Sequence, residues 1–279
     1  MTEEKLASLR QKYTSEARFR REMLVQYEAL EGELVYPQFH RDRNLCTPFD
    51  VSNPEYWTLW MALDPHPRTA HAMAWEAFNK HGDRVVPGEL WPEFGTRAGP
   101  TDGARWGVRD YAEAIQFFES DSENKPIPFR WARGKKLILG GRRYMDTFGS
   151  GANSDEGEDY FEAYRRIGNE LKINLNFQPA LKGHDNLAKA QDSIGRKLMP
   201  SDQGPPIMRI FADCYELIDE MEQVRFPSGD AEKPADERPI TYQKHVIDCL
   251  HYIETARPGF IMQRPRRDTW KRLYKETGY

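Results

Sequence analysis

The ten residues 55–64, EYWTLWMALD, constrain the fold of this chain more than any other stretch. They are aromatic and apolar almost throughout, as a strand buried on both faces should be, and the run ends on Asp64, followed at once by Pro65 and Pro67. A strand with two buried faces needs a packed layer on each side, which points to a sheet flanked by helices.

The neighbouring segments extend this pattern. AHAMAWEAF (70–78) reads as a second strand, HGD (81–83) as a turn, and RVVPGELW (84–91) as a third strand in which Pro87 marks an edge or a bulge. Three strands in succession make a meander. A Gly/Pro-rich loop (95–104) leads to a helix over VRDYAEAIQFFES (108–120), and KKLILGGRRYMD (135–146) reads as a strand that terminates at Asp146. GSGANSDEG (149–157) has loop composition, and EDYFEAYRRIGNEL (158–171) is an amphipathic helix. From there strands near 173–180 and 206–212 alternate with helices over 185–199 and 214–224. PSGDAEKPADERP (227–239) is an exposed loop, and TYQKHVIDCLHYIETA (241–256) is a last strong helix, stopped before Pro258 and Gly259. At the start, residues 2–30 lack Pro and Gly and read as peripheral helix, followed by an extended piece, ELVYPQF (33–39).

A chain of 279 residues supports one sizeable core with smaller attachments. With 30% charged residues and a mean hydropathy of -0.81 the surface is wet, and no stretch approaches the roughly 20 apolar residues needed to cross a bilayer. No membrane association is expected, and the N-terminus lacks the apolar core of a signal peptide, so the expectation is a soluble, intracellular protein. Cys46, Cys214 and Cys249 are widely spaced without a CxxC pair, which argues for reduced, mostly buried thiols. The net charge of -4 conceals an asymmetry: from Arg257 to Tyr279 seven Lys/Arg stand against two acids, with Trp270 and Tyr274 interleaved. An acidic body with a basic, aromatic tail fits a carboxylate-rich metal site beside a phosphate-binding strip; a merely solvated tail is the plainer alternative.

Three carboxylates share a positional logic. Asp64 and Asp146 end strands, and Asp248 lies in the late helix among Val246, Ile247, Cys249, Leu250 and Ile253. An acid in such apolar company needs a partner: a metal ion, or a bond within its helix or to a buried Arg. Hard cations select carboxylate oxygens, and two Mg²⁺ or Mn²⁺ ions about 3.5–4 Å apart suit phosphodiester cleavage.

The order of these segments resembles the nuclease domain of viral large terminases, which package DNA into phage capsids. GELVYPQFH, WTLWMALDPHPRTAHAMAWEAF and GDRVVPGEL are similar to the start of that domain. RRYMD resembles its second acidic strand, QPALKGHDNLAKAQDSIGRKL its lysine-glycine loop and helix, RIFADCYELIDEME its penultimate strand and helix, and KHVIDCLHYI its final His-x-x-Asp helix. The similarity runs from about Thr2 to Pro258. It implies a ribonuclease H-like α/β fold with a central mixed sheet, an N-terminal helical extension over 1–32, a nuclease domain over 33–258 and a basic tail over 259–279.

By the same resemblance Asp64, Asp146 and Asp248 form the metal-binding triad, with Asp155, Glu156 and Glu158 as competitors for the second position. His66 and His245 lie beside triad members and are candidates to orient water or DNA, as against purely structural roles. Lys182, Arg264, Arg266 and Arg267 are candidate DNA contacts. The implied activity is endonucleolytic cleavage of concatemeric double-stranded viral DNA in the host cytoplasm, with two divalent ions; the implied partners are a terminase ATPase domain or subunit, a small terminase subunit and a portal.

One departure narrows the role. The chain contains no GxxxxGK[ST] phosphate loop; the nearest fragment, ARGKKL (132–137), lacks the first glycine and the Ser/Thr. Translocation would have to be driven from elsewhere, and the N-terminal helix then reads as the linker after an ATPase, in an excised piece or a separately encoded nuclease subunit. Two other readings remain open: a resolvase or transposase core of the same fold, and a non-enzymatic DNA-binding or capsid-docking module in which the acids are structural.

Overall fold

The computed structural model describes residues 34–51, 53–66, 70–90, 106–119, 141–147, 159–181, 183–200, 204–226 and 245–262. By internal contacts the chain divides into two compact units, Met1–Leu34 with Arg225–Ile240, and Val35–Val224 with Thr241–Tyr279. In the first, Leu34 and Arg225 form an isolated antiparallel bridge. The sheet and its helices belong to the second.

That unit runs α1 (Arg41–Asn44), β1 (Leu45–Cys46), β2 (Trp57–Asp64), β3 (Ala72–Asn79), β4 (Arg84–Leu90), α2 (Val108–Glu119), β5 (Arg143–Met145), α3 (Tyr160–Leu171), β6 (Gln178–Pro179), α4 (His184–Leu198), β7 (Met208–Phe211), α5 (Tyr215–Gln223) and α6 (His245–Thr255). The seven strands lie in the order β1-β7-β4-β3-β2-β5-β6. β3 runs antiparallel to its neighbours β2 and β4, and the other pairings are parallel. The meander β2-β3-β4 thus forms the centre of a mixed sheet, with parallel strands added on both sides. The expected α/β architecture holds, and no helix among the described residues is long and apolar enough to cross a membrane.

β2 is buried along nearly its whole length, as its composition requires. Alternation along the β2–β3 register places Trp60, Ala62 and Asp64 opposite Glu76, Ala74 and Ala72 on one face, and Met61 and Leu63 opposite Trp75 and Met73 on the other. The second face receives α2, against which α3 packs: Trp75 stacks on Phe118 at 4.0 Å, and its indole N–H donates to Glu119. The first face receives α6, whose Cys249 thiol donates to the Ala72 carbonyl. Alanines at 62, 72 and 74 let that helix lie close, and Val246, Ile247, Leu250 and Ile253 are fully buried beneath it. At about 1.5–3 kcal/mol per buried aliphatic side chain, these residues alone dock α6 firmly.

Several boundaries differ from the sequence reading for physical reasons. Of the two readings of Pro87 the bulge is the one that holds, since β4 is an interior strand: Trp75 pairs with Gly88 and Ala77 with Val85, so Val86 and Pro87 together face Glu76. The β4–β7 pairing correspondingly stops at Val86, before the residue that lacks an N–H. In 173–180 only Gln178–Pro179 pairs, because Asn174 turns its side chain onto the Asn176 amide instead of feeding a ladder. The extended piece expected over 33–39 pairs only at Leu34, in its isolated bridge, and turns at residues 37–38; α1 and β1 follow unannounced by any periodicity. Of the expected strand over 135–146, Arg143–Met145 is described, while 135–140 lie outside the described residues, as do 2–30, 227–239 and 241–244. The three cysteines are free, Cys214 and Cys249 buried and Cys46 partly so.

Candidate active site

Parallel pairing of β2 with β5 matches Leu63 to Met145, so the next residue on each strand, Asp64 and Asp146, emerges at the same edge of the sheet. The Asp146 amide donates to the Leu63 carbonyl at 3.2 Å and holds the two chains together there. Gly141 permits this approach: a Cβ at that position would stand 2.7 Å from the Leu59 carbonyl oxygen and from the Trp60 ring. Arg143, almost wholly buried, ties β5 to the opposite layer through paired bonds to the Glu119 carboxylate at 2.5 and 2.7 Å.

α6 brings the remaining groups. His245 Nδ1 lies 3.0 Å from Asp64 Oδ2, and the His66 ring packs edge-on against His245 at 5.9 Å. Two turns on, the Tyr252 hydroxyl lies 3.3 Å from Asp64 Oδ1 and 3.0 Å from Asp146 Oδ2. His245, Asp248 and Tyr252 follow the i, i+3, i+7 spacing of one helix face. The Asp248 charge acts on both Asp64 and Tyr252. Asp64, Asp146, Asp248, His66 and His245 are therefore gathered at one place, drawn from β2, β5 and α6. Lys182, Arg264, Arg266 and Arg267, and the competing acids Asp155, Glu156 and Glu158, lie outside the described residues.

Burial dominates the electrostatics. It pushes the Asp64 carboxyl up to about 6, against the lowering effect of the His245 hydrogen bond and reinforced by the charges of Asp248 and Asp146. Tyr252 is raised far above the usual phenol range, by burial first and then by Asp64, Asp248 and Asp146, so its oxygen keeps its proton. Among the described residues no three His, Cys, Asp or Glu side chains stand as a ready metal cage. The donor chemistry nevertheless fits a hard divalent cation: Asp64 and Asp146 bring carboxylate oxygens to one phenol, the Asp248 charge acts on Asp64, and the repulsion among these acids is what such an ion relieves.

The Asp248 environment departs from the sequence expectation. Its apolar neighbours are buried, but its own side chain is 20% exposed, at the border of the helix's polar face. The partner anticipated as an alternative, a bond within the helix, is present: His251 Nδ1 lies 3.2 Å from Asp248 Oδ1.

The start of α6 is set by a buried acid that sequence reasoning missed. Glu220 of α5 receives the Val246 and Ile247 backbone N–H groups at 3.1 and 2.7 Å, in the position where a helix welcomes negative charge. Glu89 of β4 does the same for α5, receiving Glu216 and Leu217 at 2.7 and 2.8 Å. In both, burial outweighs the backbone donors and raises the carboxyl, Glu89 to about 8. Neither residue carries a local sequence signal, whereas Tyr252 and His251 were recoverable from their spacing to Asp248.

No family model and no curated protein matches the sequence. Solved structures match the fold at low identity. The large terminase from a thermophilic bacteriophage superposes with a TM-score of 0.53 at 13% identity, over 91% of this chain and 52% of that one. The same terminase in complex with ADP gives 0.52 at 12%, over 91% and 51%. The P22 large terminase nuclease domain gives 0.51 at 10%, over 80% of this chain and 92% of that one. The chain thus spans about half the length of the large terminase and nearly all of the isolated nuclease domain. The ribonuclease H-like fold of those nuclease domains is the fold of this protein.

Proposed function

We propose that this chain is the nuclease module of a viral large terminase, an endonuclease that cuts concatemeric double-stranded DNA during genome packaging. The observation that carries the reading is the convergence of Asp64 and Asp146, from adjacent parallel strand ends, with Asp248 and Tyr252 of α6. The shared fold with terminase structures supports it.

Asp64, Asp146 and Asp248 would hold two divalent ions, Mg²⁺ or Mn²⁺. Such ions, when bound, supply a nucleophilic water and stabilise the leaving oxygen of a phosphodiester. The residues of this chain bind and orient. His245 steadies the Asp64 carboxylate, His66 packs on His245, and the Tyr252 hydroxyl spans Asp64 and Asp146. Strand ends fixed by the β2–β5 register keep this geometry from spreading apart under mutual repulsion. Lys182, Arg264, Arg266 and Arg267 serve as phosphate contacts, which give affinity without sequence preference.

The chain works with partners in this reading: a terminase ATPase domain or subunit, a small terminase subunit and a portal, in the host cytoplasm. The test is plasmid cleavage with Mg²⁺ or Mn²⁺, comparing wild type with Asp64→Ala and Asp248→Ala. Loss of several kcal/mol of transition-state stabilisation lowers the rate by about a hundredfold or more. Full activity in both variants would sink the mechanism, and preferential cutting of branched DNA would move the chain to the resolvases.

A further inference from the structure

α6 buries a histidine for which the proposed cleavage has no direct use. His251 is 2% exposed, and both ring nitrogens are engaged. Nδ1 lies 3.2 Å from Asp248 Oδ1, and Nε2 lies 2.5 Å from the hydroxyl of Tyr36. Tyr36 is 1% exposed and comes from the turn before α1, 215 residues away in sequence. A core histidine needs only to be satisfied. This one is satisfied in a way that has a direction.

The direction follows from proton accounting. Burial first, then the Asp248 and Glu254 charges, hold the Tyr36 phenol well above its ordinary range, so its oxygen carries a hydrogen and donates it. Nε2 is then the acceptor, which leaves the ring N–H on Nδ1, facing Asp248. Tyr36 donates to His251, and His251 donates to Asp248. The chain of bonds ends on one oxygen of a carboxylate that borders the Asp64 and Asp146 cluster.

We infer that His251 and Tyr36 are positioning residues that hold the Asp248 carboxylate in the orientation a divalent cation requires, through a Tyr36–His251–Asp248 chain with the imidazole proton on Nδ1. This rests on Asp248 being a metal ligand in the proposed function. Groups that orient a ligand in this manner set its direction and basicity, and their loss weakens metal binding by about 10–100-fold.

The experiment measures Mn²⁺ binding calorimetrically on the full chain, with folding checked by circular dichroism. His251→Leu removes the donor and should weaken binding within that range. His251→Asn places an amide N–H where Nδ1–H stands and should recover most of the loss. Tyr36→Phe keeps the ring, releases the tautomer and should weaken binding several-fold, which keeps the test open if His251→Leu fails to fold. In the wild type, ¹⁵N chemical shifts should show Nδ1 protonated and Nε2 bare. A folded His251→Leu that binds Mn²⁺ as the wild type does, or a proton found on Nε2 alone, overturns the inference. Asp248→Asn separates the two failures: normal Mn²⁺ binding there refutes the ligand assignment itself, while weakened binding there with unchanged His251→Leu refutes only the positioning role.

Discussion

The Tyr252 hydroxyl lies 3.0 Å from Asp146 Oδ2, and the same oxygen is 3.3 Å from Asp64 Oδ1. A single phenolic proton is shared between carboxylates that arrive on two different strands. Tyr252→Phe removes that proton and leaves the two acids facing each other across a less polar gap. The metal-free protein should lose about 1–2 kcal/mol of stability, which a thermal melt reads as a drop of a few degrees. Saturating Mn²⁺ should close most of the gap, because an ion compensates the same two charges.

Glu220 governs where α6 begins. Glu220→Ala leaves the Val246 and Ile247 N–H groups without their acceptor in a buried setting, at a cost of about 2–4 kcal/mol. Hydrogen exchange should show faster opening at those two amides first. Unchanged exchange there would mean that solvent or another group caps the helix equally well.

The central sheet carries a pH-sensitive acid away from the site. Glu76 is 1% exposed and raised to about 7, by burial first; Arg84 lowers it at 3.6 Å, Glu254 opposes and Lys197 assists Arg84. An unfolded glutamate ionises near 4.5. Between about 4.5 and 7 the folded chain therefore holds a proton that the unfolded chain has released, and stability falls as pH rises through this window. The contribution approaches roughly 3 kcal/mol. Glu76→Gln should flatten that slope in urea denaturation across the same pH range, and an identical slope in the variant would contradict the assignment.

Asp64 illustrates the cost of a prepared site. At pH 8 it is an ionised carboxylate in a setting that favours its neutral form. Asp64→Asn should raise metal-free stability by about 1–2 kcal/mol and, under the proposed function, should leave the variant without the Mn²⁺ stabilisation expected of the wild type. A variant both more stable and still responsive to Mn²⁺ would place the ion elsewhere.

How much of this was legible beforehand depends on whether the cause was local. The central strand and its terminal Asp64 were readable because burial on both faces leaves a direct imprint on composition, and α6 because its apolar stripe survives at helical spacing. Asp146 follows from strand-end logic, and its carboxylate shares the Tyr252 hydroxyl with Asp64; Asp248 follows from helix logic, and its charge acts on Asp64. Glu220 and Glu89 were invisible: each caps a helix whose start is set by tertiary packing, and nothing near them in sequence marks the role. The exposure of Asp248 was misjudged because apolar neighbours along a helix do not determine which side of a border residue meets solvent. β6 fell short of its expected length because the Asn176 amide is taken by the Asn174 side chain and the Asn174 carbonyl by Arg143.

The last helix carries a temporal consequence. As the chain leaves the ribosome, β2 and β5 emerge with Asp64 and Asp146 long before α6 does, about a hundred residues after Asp146. Until α6 docks, two acids stand at the sheet edge without His245, Asp248 or Tyr252. A partly made chain therefore holds only part of the cluster. Because α6 is held at one end by Glu220 and at the other by Glu254 bound to Arg84 and Lys197, whatever loosens either tether would draw His245, Asp248 and Tyr252 away from the two strand-end acids.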